Sequence, residues 1–251
     1  MILAGVVLLA WVPATWAYTW FQQRDLKQQL EQTSPQITSG AASLSATDFI
    51  PLVVKGENAQ QAATTESTTT SEGAATSEGA ATSAEAAAEA EHQAQLDAFK
   101  KAADAFAVSV SGKTAQPLGK IIVPSIGLNV VMVEGTGKGD LKVGPGHWPE
   151  TPFPGEGGNF VVSGHRTTYG APFFKLNKIK VGDEIDVVLP YAVARYTVTR
   201  IAIVLPTQVS DVAQLGKEQI ALAACHPIYS AKQRIVVHGD LTSFKLLTPQ
   251  S

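Results

Sequence analysis

The chain has 251 residues, with 19 Lys and Arg against 22 Asp and Glu, a formal net charge of -3 and a single cysteine. That balance, with no long basic run, excludes nucleic acid as the main partner, and one cysteine excludes an internal disulfide. Apolar residues are unevenly spread, so the folded part is smaller than the length suggests.

Residues 1–21, MILAGVVLLAWVPATWAYTWF, carry no charged side chain. At about 1.5 Å per residue they reach roughly 30 Å, the thickness of a bilayer core. Trp16, Tyr18, Trp20 and Phe21 crowd the far end, where aromatic rings favour the interface between lipid and water. We read this segment as a retained, single-pass transmembrane anchor rather than a cleaved signal peptide. Nothing basic precedes it, whereas Arg24 and Lys27 follow. Taken literally, that charge order leaves the rest of the chain in the cytoplasm; we read it as the mark of a shortened N-terminus.

Residues 22–84 read as a disordered tether rich in Ala, Thr, Ser and Glu. Gln22 to Glu31 is charged and glutamine-rich, Ile50 to Val54 is a brief apolar island, and the hexapeptide TSEGAA occurs at 70–75 and again at 76–81. Such composition builds no core, and about 60 flexible residues would span on the order of 40 Å. Residues 85–117 are predicted to hold a helix, from about Glu85 to Ala107, and a linker. Leu96, Phe99, Ala103 and Phe106 recur at the three-and-four spacing of one helix face.

Residues 118–247 change character. Runs such as KIIVPSI, LNVVMVE, NFVVSGH, EIDVVLP, YTVTRIAIVL, QIALAAC and RIVVHGDL alternate with Gly, Pro and Asp, which predicts seven or eight short strands. Helix signals amount to short turns around 172–176 and 137–141. An all-β barrel or sandwich of about 130 residues is expected, and a small closed barrel fits best.

Two strand ends carry chemistry. Cys225 closes the apolar run QIALAAC, and Arg234 opens the next run. A free thiol is a small core residue or, where accessible and near a cation, a nucleophile. His165 and Arg166 stand at the exit of the strand NFVVSG, where an imidazole is an accessible acid or base if it has a partner and otherwise a hydrogen-bonded structural residue. His147, beside Trp148 in GPGHWP, is a candidate for a substrate groove, with a packed loop as the alternative. His226 follows Cys225 directly and so faces away from the sulfur if the strand continues. His238 shares parity with Arg234 but lies about 13 Å along the strand. No cluster of histidines and carboxylates has metal-ligand spacing, and neither metal nor cofactor is expected.

Taken together, SGHRTTYGAPF, LPTQV, ALAACHPIYSAKQR with Arg234, and GPGHWPETPFPGEGGN resemble the sortases, cysteine transpeptidases of the Gram-positive cell surface, and are most similar to class E. The resemblance covers about Gly119 to Leu241. It implies a sortase-like eight-stranded β-barrel with short helices, held at the cell membrane with its catalytic domain outside. By position it makes Cys225 the nucleophile, His165 the acid and base, and Arg234 the oxyanion or substrate clamp, with Ala224, Leu222, Tyr169 and His147 as substrate-binding candidates. Its implied partners are surface proteins bearing a C-terminal LAXTG- or LPXTG-type sorting signal, and an amine acceptor from a lipid-linked peptidoglycan precursor or a pilin lysine. A catalytically weak surface-binding module on the same barrel is the alternative from another class. A cysteine L,D-transpeptidase is the nearest alternative enzyme, but there an arginine closely follows the cysteine, whereas Arg234 lies nine positions beyond Cys225. Sortases usually show Thr-Leu-any-Thr-Cys at the nucleophile, whereas Ala221 and Ala224 stand at the threonine positions here. If the second threonine offers a hydroxyl toward the groove, Ala224→Thr should raise kcat/KM about two- to tenfold.

Overall fold

β-branched residues at alternate positions build strands whose two faces are both covered, and eight of them close on themselves. The structure, a computed structural model, describes residues 2–37, 48–52 and 78–247, with side chains described from residue 14 and residue 86 onward in the two long helices. The barrel strands are β2 (Pro117–Val123), β3 (Leu128–Glu134), β4 (Gly146–His147), β5 (Asn159–Ser163), β6 (Glu184–Val188), β7 (Ala192–Val204), β8 (Gln219–His226) and β9 (Gln233–Leu246). Their order is β9-β7-β6-β2-β3-β4-β5-β8, and β8 pairs back onto β9, so the ring is complete. The expected eight-stranded barrel is the observed architecture. β4, of two residues, is too short for a sequence pattern to reveal. Register shifts between Arg195 and Tyr196 and between Val198 and Arg200 bend the long β7–β9 pair around the barrel.

Most pairs are antiparallel, but β5 runs parallel to β8, with Ser163 opposite Ala223. β8 meets β9 antiparallel, with Cys225 opposite Arg234. The barrel interior holds Leu118, Ile121, Met132, Phe160, Val162, Ile185, Val187, Leu222, Ala224, Ile235 and Val237. On the opposite face of the same strands, Val161, Ala221, Ala223 and Val236 cluster beneath Trp148, Val204 and Val212. β9 outruns β8, and its free second half takes a two-residue strand, β1 (Ile50–Pro51), with Ile50 opposite Phe244.

Two long helices accompany the barrel. The second, α2 (Glu78–Val110), is longer at both ends than the predicted 85–107. Its C-terminal end extends because Val110 is itself buried. The predicted stripe faces the core: Phe99 and Ala103 are buried, and Leu96 and Phe106 pack against them. Phe99 stacks on Phe244 at 4.4 Å between ring centroids. A third helix is one turn, α3 (Asp140–Val143).

The first helix, α1 (Ile2–Thr33), corrects the reading of residues 22–84 as a uniformly disordered tether. Leu26 and Leu30, one turn apart, bury themselves with Ile37 against Val131, Val133, Val188 and Val193 on the outside of the barrel. Gln23 completes the docking. Because β4 is so short, the outer edge of β3 is open at Val131, and Gln23 fills it: Val131 N donates to Gln23 Oε1 at 3.0 Å, and Gln23 Nε2 donates to Val131 O at 3.0 Å and to Val143 O at 2.7 Å. A side-chain amide thus satisfies a strand edge that would otherwise be left unpaired. Residues 38–47 and 53–77 of the predicted tether, the first TSEGAA copy among them, lie outside the described residues. Among the described residues, no helix is long and apolar enough to cross a membrane.

Candidate active site

Strand parity builds the site. Along β8, residues 221, 223 and 225 share the outer face, while Leu222 and Ala224 point into the core. Cys225 therefore stands on the outer face at the end of β8, partly exposed. Directly across the ladder is Arg234, the second residue of β9, and side chains directly opposite on one face are neighbours. The Arg234 guanidinium is held by the loop between the two strands, Nη1 donating to Ala231 O and to Gln233 O, each at 3.0 Å.

The parallel strand beside β8 delivers the histidine. Gly164 N donates to Ala223 O at 3.0 Å, carrying the β5–β8 register past the strand end, so that His165 emerges at the level of Cys225. Gly164 has no side chain because the backbone here runs against Phe173: a Cβ would lie 2.6 Å from that ring. Burial alone pushes the His165 imidazole below its ordinary value. Tyr169, in the left-handed region at φ 49°, sets its ring 5.0 Å from the His165 ring. Non-glycine residues hold that conformation only where the surroundings enforce it.

Cys225, His165 and Arg234 line one groove of about 350 Å³. Its walls are otherwise largely apolar, from Leu141, Trp148, Val204, Leu205, Val209, Val212 and Val236. Trp148 is fixed by Nε1 donating to Ser163 Oγ at 2.7 Å. The segment Val209–Val212 is pinned to the barrel through Asp211, which accepts from Arg200 Nη2 and His238 Nε2, both at 2.8 Å. Burial would raise the Asp211 carboxyl, but these two hydrogen bonds, with the charges of His238 and Arg200, together outweigh it and hold it below the usual range. His238 is thus a strap at the far end of the groove, as its distance along β9 predicts.

The remaining sequence candidates divide. Tyr169 packs on the His165 imidazole rather than lining the groove. Leu222 is fully buried in the core and offers nothing to a substrate. His147 is 1% exposed, its Nδ1 2.8 Å from Glu134 Oε2 and its ring stacked 4.8 Å from Phe160. The reason is register, since Glu134 on β3 is paired with His147 on β4. His147 is a structural pin, so the packed-loop alternative is the one observed.

Ala224 lies along the groove, yet its methyl belongs to the barrel core and the residue is 3% exposed. This reverses the expected effect of Ala224→Thr, whose added hydroxyl would enter packed apolar surroundings instead of the groove. Overpacking costs about 1–3 kcal/mol, so Ala224→Thr is expected to lower Tm by about 3 °C or more without raising kcat/KM. Thermal unfolding beside peptide turnover checks this, and a faster enzyme of unchanged Tm would restore the hydroxyl argument.

Sequence reasoning placed Arg166 beside His165 but gave it no role. It is 2% exposed, with Nη1 donating to Cys225 O at 3.1 Å and lying 3.0 Å from His226 Nδ1. The usable signal was alternation: a residue following an outward-facing histidine points inward.

A thiol, an imidazole and a guanidinium converging on a groove outside a closed eight-stranded barrel define a cysteine acyl-transfer enzyme. Comparison with known proteins gives the family. Residues 121–242 match the Sortase domain model. The chain is 31% identical to sortase D of Bacillus subtilis over 135 residues, covering 52% of this chain and 67% of that protein. It is 33% identical to sortase SrtE1 of Streptomyces coelicolor, over 47% of this chain and 38% of that longer protein. The solved structure of the SrtF sortase from Corynebacterium diphtheriae superposes with a TM-score of 0.53 at 25% identity, covering 57% of this chain and 92% of that one. The chain belongs to the sortase family, and it is a sortase transpeptidase.

Proposed function

We propose that this sortase is anchored in the cell membrane by residues 1–21, faces outward, and joins surface proteins bearing a C-terminal LAXTG- or LPXTG-type sorting signal to a cell-wall amine. The observation that carries the reading is the placing of Cys225 and Arg234 on one face, directly opposite each other, in a groove shared with His165.

Each residue then has one task. Cys225 Sγ attacks the amide carbonyl before the glycine of the signal, and the carbonyl oxygen gains negative charge. Arg234, always protonated, donates to that oxygen. His165, as imidazolium, protonates the departing amine, leaving a thioester on Cys225; it later accepts a proton from the incoming amine that takes the acyl group. The apolar walls of the groove suit an extended peptide with an apolar side chain near its start. The uncharged stretch 1–21 with its aromatic end supports the anchor.

Incubating the full chain with a panel of LAXTG and LPXTG peptides and candidate amines, then weighing the products, tests the reading. Cleavage before glycine with a new amide to one amine is expected. Absence of any acyl transfer across the panel, with the protein folded, would favour the binding-module alternative.

A further inference from the structure

We propose that Arg166 is a positioning residue for the nucleophile: it clamps the backbone carbonyl of Cys225 from behind the strand and supplies the buried positive charge against which the thiolate forms, leaving Arg234 to serve the oxyanion. This rests on the reading of Cys225 as the nucleophile.

Arg166 carries its charge in an unusual place. It ranks among the largest fully buried side chains of the protein, and buried arginine is ordinarily matched by a carboxylate. Here its hydrogen-bond partners among the described residues are neutral: Cys225 O at 3.1 Å, His226 Nδ1 at 3.0 Å and, more distantly, Phe174 O at 3.5 Å. No Asp or Glu oxygen of the described residues lies within 4.0 Å of it. His226 is suited to its place because burial, followed by the Arg166 charge, holds its imidazole below its ordinary value, so that Nδ1 stays an acceptor.

The anion nearest to hand is the one the reaction creates. A Cys225 thiolate attracts the Arg166 charge, partly offsetting the cost of burying the guanidinium. The groups around the thiol are His165 at the exit of β5, Arg166 behind it, His226 next along β8, Arg234 across on β9, and Asp211 on the groove wall. Of the two guanidiniums, Arg234 lies toward solvent and is screened by salt, whereas Arg166 is enclosed and acts at lower dielectric. Its hydrogen bond to Cys225 O also fixes the last turn of backbone before β8 ends, where a strand would otherwise fray.

The test uses the fact that the chain has one cysteine. The pH midpoint of Cys225 alkylation by iodoacetamide, in which an S–C bond forms and iodide leaves, reads thiolate formation in the full chain without any sorting peptide. It therefore stands even if the proposed sorting signals prove wrong. Arg166→Met is expected to move the midpoint up by about one pH unit, slowing alkylation near neutrality about tenfold, and Arg166→Lys to bring most of it back. Arg234→Met should move it distinctly less. An unchanged midpoint in folded Arg166→Met, or a larger shift from Arg234→Met, overturns the proposal. If Arg166→Met does not fold, the unmodified protein decides: a midpoint steady from about 0.05 to about 1 M salt is expected for an enclosed cation. A midpoint that climbs with salt assigns the role to the partly exposed Arg234 and overturns it.

Discussion

Cys225→Ala is expected to remove transpeptidation altogether, a loss of about 10⁴-fold or more, with no acyl-enzyme in the mass spectrum. No second thiol exists to take over, and no other nucleophilic side chain faces Arg234 across the ladder. The fold should survive, because Cys225 lies at a strand end, partly exposed, and its thiol makes no hydrogen bond to any of the described residues. Product appearing at near-parental rate would show that another residue attacks. The same geometry explains why the intact enzyme should be slow. With reference values of about 8.5 for cysteine and about 6.5 for histidine, only about 1% of molecules would hold the thiolate and imidazolium together at neutral pH. Burial of His165 lowers its value and shrinks that fraction further. His165→Ala, lacking the proton donor, is expected to lose about a hundredfold or more in kcat.

The barrel, and Cys225 as a thiol at a strand end, were legible because a period of two marks strands whatever their neighbours. QIALAAC and RIVVHGDL alternate correctly on their own, and Cys225 at the end of one and Arg234 at the start of the next already suggest a shared edge. Their direct opposition was not legible, since register depends on how many residues the intervening loop absorbs. The His147–Glu134 pair was hidden for a related reason: it arises from parallel pairing across a two-residue strand. Composition misled most over residues 22–37. A glutamine-rich segment with few apolar residues reads as solvated, but Leu26 and Leu30 one turn apart suffice to dock it, and Gln23 is polar because a strand edge needs a donor and an acceptor there. Ala224 shows the limit of a motif: the family pattern names the position, whereas strand parity already sets it on the face opposite the thiol, and the structure packs its methyl into the core.

Arg234→Lys separates charge from geometry. The Arg234 guanidinium spends Nη1 on the carbonyls of Ala231 and Gln233, which steadies a planar group whose other N–H donors remain for the groove. A lysine ammonium has three donors on a single nitrogen; if it holds the loop carbonyls, few are left to aim at an oxyanion, and if it turns to the oxyanion, the loop loses its anchor. Removing one preorganised oxyanion donor typically costs about 10²–10³ in kcat, so Arg234→Lys is expected to lose at least about a hundredfold in kcat while still forming peptide complexes with little change in KM. Steady-state cleavage of an LAXTG peptide, with burst measurements to separate acylation from transfer, reads this directly. Slowed acylation with a normal thiol alkylation midpoint would place Arg234 at the transition state of the first step. Near-parental acylation in Arg234→Lys would mean that a point charge suffices, and would remove the clamp from the mechanism.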